Sequence, residues 1–103
     1  MDTKSALEII VPYLEKIQCN NINYNEVWLF GSVAKGTSTE ESDIDLAIIL
    51  KENDNKFETD IKLMTLRDGN ELSIEPHTFS ISEFNSSNPV AYSILKSGIK
   101  IND

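Results

Sequence analysis

The sequence predicts an α/β domain. Helix-period and strand-period apolar patterns alternate along its 103 residues. One segment, Leu46-Ala47-Ile48-Ile49-Leu50, is apolar without alternation, as expected of a strand covered on both faces. No repeat, low-complexity tract or long linker divides the chain, so residues 1–103 are read as a single domain.

The elements follow in order. Residues 3–18 read as an amphipathic helix, with Leu7, Ile10, Val11, Leu14 and Ile17 at three- and four-residue steps. Ser5 and Glu8 have the spacing of a capping box, and Pro12 predicts a kink or a later helix start. An asparagine-rich turn, Cys19 to Asn23, ends this helix, and Tyr24–Phe30 forms the first strand. A short helix around Ala34-Lys35-Gly36 follows, its amino end facing a bound phosphate. Thr37 to Ser42 is a polar loop, 46–50 the second strand and Lys51–Lys56 a charged loop. Ile61, Leu63, Met64 and Leu66 support a helix over 57–67, terminated by Asp68-Gly69-Asn70. Glu71 to Phe79 alternates as a strand with one polar face, and Pro76 assigns it to an edge or a strand end. Asn88-Pro89 opens a last helix that Gly98 closes.

Composition narrows the function classes. Hydrophobic residues at 40% and charged residues at 25% are ordinary globular values and argue against disorder. A net charge of -8 disfavours direct nucleic-acid binding, which depends on Lys and Arg, and suits a basic protein partner. A single cysteine, Cys19, permits neither an internal disulfide nor a cysteine-rich zinc site, and its place in an apolar helix predicts a small packed residue. No run approaches a membrane span, and the polar start Asp2-Thr3-Lys4-Ser5 is no signal peptide, so a cytoplasmic protein without membrane partners is expected.

The most informative run is Leu29-Phe30-Gly31-Ser32, ten residues, then Asp43-Ile44-Asp45. A Gly-Ser turn after an apolar strand offers free backbone N–H groups, a hydroxyl and no Cβ, which is the chemistry of a phosphate cradle. Two carboxylates at i and i+2 of an extended chain point the same way and repel unless a cation lies between them. Hard oxygen ligands of this kind suit Mg2+, which completes its shell with water and substrate phosphates. Together they point to phosphoryl or nucleotidyl transfer.

Gly31-Ser32-Val33-Ala34-Lys35-Gly36 followed by Ser42-Asp43-Ile44-Asp45-Leu46-Ala47-Ile48 closely resembles the signature of the DNA polymerase β-like nucleotidyltransferase superfamily. The small size is similar to that of its minimal nucleotidyltransferases. The motif spans residues 28–50, about a fifth of the chain, and the order of elements agrees over nearly all the rest. The resemblance implies a small mixed sheet flanked by helices, two Mg2+ ions, ATP as donor, and a third carboxylate from a later strand.

Glu75, on the polar face of the third strand, is the candidate for that carboxylate; Glu71, along the same face, is the alternative and reads as a solvated strand-edge charge. Asp43, Asp45 and Glu75 are thus the expected catalytic and metal-ligating residues, and Gly31, Ser32 and Lys35 the expected phosphate-binding ones. Relatives often carry a basic residue directly after the Gly-Ser pair, where this chain has Val33. His77, the sole histidine, shares a face with Glu75 and reads more readily as a partly buried, hydrogen-bonded residue than as a phosphate ligand. Trp28 reads as core rather than a base-stacking platform. Asp54, Asp60 and Asp68 read as loop and helix-surface charges.

The function expected is AMP transfer from ATP to a hydroxyl. Minimal nucleotidyltransferases commonly act as antitoxins to a helical HEPN-domain ribonuclease, and several adenylylate a tyrosine on it. A chain this small has no second domain to close its pocket, so the resemblance implies a hetero-oligomer with such a toxin. The alternatives are a contact-only antitoxin, and an aminoglycoside-modifying nucleotidyltransferase.

Overall fold

The computed structural model describes residues 1–39, 42–51 and 55–101. Its elements are α1 (Thr3–Cys19), β1 (Tyr24–Phe30), α2 (Gly31–Lys35), β2 (Ile44–Leu50), α3 (Lys56–Thr65), a 3-10 helix (Gly69–Ser73), β3 (Ile74–Ser80), α4 (Pro89–Ser97) and β4 (Ile99–Ile101). The strands form one sheet in the order β3-β2-β1-β4. β1 pairs antiparallel with β2 and with β4, and β2 pairs parallel with β3, so the expected mixed sheet is present.

Alternation along β2 divides the core. Leu46, Ile48 and Leu50 join Ile10, Tyr13, Leu14 and Ile17 of α1, Val33 of α2 and Leu63 of α3 on one face. Ala47 and Ile49 join Phe79 of β3 and Ile94 of α4 on the other, with Trp28, Phe30 and Phe84 against them. Helices therefore cover both faces, and β2 is apolar throughout because it is buried on both sides. Gly98 lets the end of α4 abut β1: a Cβ there would stand 2.6 Å from the Ile94 carbonyl oxygen and 3.1 Å from that of Leu29.

The last carbonyls of α3 have no partners within the helix, and other segments supply them. The Tyr13 hydroxyl donates to the Leu63 carbonyl (2.6 Å), the Lys16 ammonium to that of Leu66 (2.9 Å), and Arg67 Nε to that of Met64 (3.1 Å). Arg67 Nη1 reaches on to the carbonyls of Leu72 (3.1 Å) and Ile74 (2.9 Å), fixing the first residue of β3. The edge position of β3 agrees with its Pro76.

Several local expectations are corrected. Asp2, not Ser5 with Glu8, caps α1, its Oδ1 accepting from the Ser5 N–H at 2.8 Å. Pro12 sits inside an unbroken α1, on its exposed side, where water can serve the carbonyl one turn back. Val11 is exposed, as are Ile61 and Met64 of α3. Cys19 is also exposed, because the last residue of α1 has turned away from the core. The short helix begins at Gly31 rather than near Ala34. Residues 71–73 are 3-10 helix rather than strand: Asp68 and Glu71 form a reciprocal capping box there, and Glu71 pairs with Lys16 at 2.5 Å. Glu71 is therefore a structural ion-pair partner and not a solvated edge charge. Asp68 is a cap, and Asp60 accepts a hydrogen bond from the Thr78 hydroxyl. Asp54 lies outside the described residues. Among the described residues, no helix is long and apolar enough to cross a membrane.

Candidate active site

The site forms where β1 ends and β2 and β3 begin. Register places Phe30 opposite Asp45, and Asp45 opposite Glu75, so residues far apart in sequence share one end of the sheet. This is the face that α4 packs only farther along, over Ala47 and Ile49.

Gly31 is the first residue after β1 and has φ +76°, a conformation that L side chains rarely adopt. Its backbone angle favours glycine, and a Cβ there would stand 2.3 Å from Asp45 Oδ2, so any side chain would push that carboxylate aside. Ser32 is half-buried, and its carbonyl accepts from the Thr37 N–H at 3.0 Å, which closes α2 into the loop beyond. Its hydroxyl has no hydrogen-bond partner among the described residues. Lys35, in the last turn of α2, is exposed and without an ion pair among them.

Asp45, Glu75 and His77 converge. One ligand atom from each lies within 4.8 Å of the others. His77 Nε2 is 3.4 Å from Asp45 Oδ1 and 4.0 Å from Glu75 Oε1. The Phe30 ring meets the imidazole edge-on, centroids 5.2 Å apart, and limits its rotation. No Lys or Arg pairs with Asp45 or Glu75 among the described residues. Two facing carboxylates with an imidazole beside them and, among the described residues, no Lys or Arg pairing with them are donor chemistry that a divalent cation satisfies.

Asp43 precedes β2, is exposed, and stands outside this group. Of the three carboxylates singled out in the sequence, the structure thus brings two together and adds a histidine. His77 is the partly buried, hydrogen-bonded residue expected, its partner being Asp45, and it stands in a cluster of potential ligands as well. The signal was present in the Glu75-x-His77 spacing, which puts both side chains on one face of a strand. Trp28 is half-buried against Phe84, with its Nε1 donating to Glu26 Oε1 at 2.9 Å, and does not face the carboxylates as a free platform.

A groove of about 450 Å3 runs along the outer edge of β3 beside this cluster. Lys56, Asp60 and Met64 of α3 form one wall, Asn88 and Val90 the other, and His77 is shared between the groove and the cluster.

Residues 12–103 match the family model "Polymerase beta, Nucleotidyltransferase". Among solved structures, the fold is similar to that of a candidate nucleotidyltransferase from Sulfolobus solfataricus, at 21% identity over 91% of this chain and 77% of that one, TM-score 0.67. It is also similar to a toxin–antitoxin structure with AMP-PNP, at 22% identity over 86% of this chain and 69% of that one, TM-score 0.55. A mutant of the toxin–antitoxin pair MntA–HpeT shares the fold at 20% identity over 88% of this chain and 69% of that one, TM-score 0.56. No curated protein sequence matches significantly.

Proposed function

The chain belongs to the polymerase β-type nucleotidyltransferase family, and from that premise we propose that it transfers AMP from ATP to a protein hydroxyl, acting as the antitoxin of a helical HEPN-type ribonuclease on one of its tyrosines. The carrying observation is the pair of carboxylates, Asp45 and Glu75, converging beside the Gly31 turn with no Lys or Arg paired to them among the described residues. In the reaction the acceptor oxygen forms a bond to the α-phosphorus, the bond to the bridging oxygen breaks, and pyrophosphate leaves.

Asp43, Asp45 and Glu75 would hold the Mg2+ ions, two in the full arrangement; their hard oxygen donors fit that ion. When bound, the cations neutralise triphosphate charge and make the acceptor hydroxyl more acidic. The backbone after Gly31, the Ser32 hydroxyl and Lys35 hold the β and γ phosphates, so that the α phosphate is presented in line. Glu75 is the more exposed of the two converging carboxylates (side chains 51% against 25%), so it faces the acceptor and takes its proton.

A partner is needed because the site sits on an open sheet end, where water would screen the charges it must focus. Two of the similar folds come from toxin–antitoxin structures, one with AMP-PNP. The net charge of -8 suits a basic ribonuclease. Adding AMP to a tyrosine near the RNA site of such a toxin would place bulk and negative charge where phosphate should bind. Co-expression with the partner and intact-mass measurement tests this: each transfer adds one AMP unit. An unmodified partner that is nonetheless fully inhibited overturns the transfer and leaves contact inhibition.

A further inference from the structure

We infer that His77 is a third metal ligand and that it tunes this site toward first-row transition dications, Mn2+ among them, over Mg2+. The inference rests on the nucleotidyltransferase reading above and specifies which cation its carboxylates hold.

The geometry carries it. His77 Nε2 lies 3.4 Å from Asp45 Oδ1 and 4.0 Å from Glu75 Oε1, and all three ligand atoms are within 4.8 Å of one another. Neighbouring ligands on a six-coordinate cation with bonds of about 2.1 Å are about 3 Å apart, and opposite ones about 4.2 Å. The two His77 distances fall in that range and the cluster as a whole, at up to 4.8 Å, is slightly wider, so a cation enters as the side chains draw in. All three residues stand on paired strands rather than loops: Asp45 is opposite Glu75 in the parallel ladder, and His77 is two residues farther along β3. The edge-on Phe30 ring restricts the imidazole, which lowers the entropy lost when Nε2 takes a metal.

The choice of cation follows from the donors. Mg2+ takes oxygen and keeps several waters, so a nitrogen ligand gains it little. Imidazole favours transition dications, whose affinities for mixed nitrogen and oxygen sites rise along the series from Mn2+. The competing role for His77 is an ion-pair partner of Asp45 and Glu75, neutralising them in place of a metal. The two roles predict opposite effects of removal: loss of a ligand weakens metal binding, whereas loss of a competing cation strengthens it.

The chain has one histidine, so any imidazole signal at a bound metal identifies His77. The test is Mn2+ titration of the full chain by electron paramagnetic resonance, with pulsed detection of nitrogen coupling and competition by Mg2+. Expected is histidine nitrogen coupling in the parent, and Mn2+ binding about tenfold to a hundredfold weaker in both His77→Ala and His77→Asn. Mg2+ binding should change by less than about twofold, because its shell does not use the imidazole. Circular dichroism checks that both variants fold, and the half-exposed position of His77 on an edge strand favours it. Absence of nitrogen coupling, or unchanged or tighter Mn2+ binding in the variants, overturns the inference. If Asp45→Asn still abolishes Mn2+ binding in that case, the carboxylate site stands without the histidine. A parent that binds neither Mn2+ nor Mg2+ brings down both readings.

Discussion

The carboxylate of Asp45 occupies the space that a side chain on Gly31 would need: Oδ2 lies 2.3 Å from where that Cβ would be. The turn that offers backbone to phosphate and the acid that would hold the cation are therefore in contact, and a side chain added to the turn would displace the acid. Gly36 makes the control, because it has nearly the same backbone angle (φ +75°) but nothing within 4 Å of its Cβ position. Gly36→Ala should cost about 1–2 kcal/mol of stability for the left-handed backbone alone and keep transfer activity. Gly31→Ala should pay a similar strain and lose activity as well, because it displaces Asp45. Urea denaturation read beside ATP turnover separates the two outcomes; equal activity in both variants would remove the special role of this contact.

Asp45→Asn should reduce transfer by about a hundredfold or more, on the scale of losing a group that acts at the reacting centre. Asp43→Asn should do the same if Asp43 joins the metal site when nucleotide binds. The thermal midpoint should stay level or rise slightly in the double variant, since the Asp45 charge that faces Glu75 is removed. Labelled-ATP transfer with a parallel melting curve is the measurement, and full activity in the double variant would refute the mechanism.

Ser32→Ala should weaken ATP binding by about 10- to 100-fold, the equivalent of losing one hydrogen bond to a charged group at about 1.5–3 kcal/mol. Turnover should persist at saturating ATP. Equilibrium binding of a non-hydrolysable ATP analogue reads this directly, and unchanged affinity would reduce the Gly-Ser turn to a structural bend.

Tyr13 supplies a prediction about pH. Burial pushes its hydroxyl well above the ordinary tyrosine value of 10.0, with Arg67 opposing the shift. The folded state therefore keeps the proton that the unfolded chain gives up near pH 10. The stability from this neutral hydroxyl is complete below pH 10 and declines as pH rises beyond it. Tyr13→Phe leaves the Leu63 carbonyl without its donor and should cost about 1–3 kcal/mol at pH 7. The variant should lose less than the parent between pH 9 and about 11, a comparison chemical denaturation can make.

Much of this was legible in the sequence because period and punctuation agreed. Tyr24–Phe30 and the apolar run to Leu50 are strands as expected, and the Asn88-Pro89 start and Gly98 end bound α4. Gly31 and Asp45 stand out by spacing, Glu75 by its place on the polar face of the third strand together with the resemblance, and the structure brings Asp45 against Gly31 and near Glu75. What could not be read depended on tertiary partners. Glu71, Leu72 and Ser73 alternate like a strand, but the capping box with Asp68 and the pair with Lys16 hold them in a 3-10 turn. Ile61 and Met64 fit the helix period, yet both are exposed, because only Thr59 and Leu63 of α3 are buried. β4, only three described residues long, gave no periodic signal at all. His77 needed the parallel register of β3 on β2 before its distance to Asp45 could be known.

That parallel register has a kinetic consequence. The β1–α2–β2 unit closes locally, within residues 24–50, and it contains the Gly-Ser turn and Asp45. Glu75 and His77 arrive only after α3 has crossed over and β3 has docked in parallel, an intrinsically slower, non-local step. Amides of β1 and β2 should accordingly gain protection before those of β3 in pulse-labelled hydrogen exchange during refolding. The acidic cluster is thus completed later than the turn beside it, so the newly made chain has its phosphate cradle in place before it can hold a cation there.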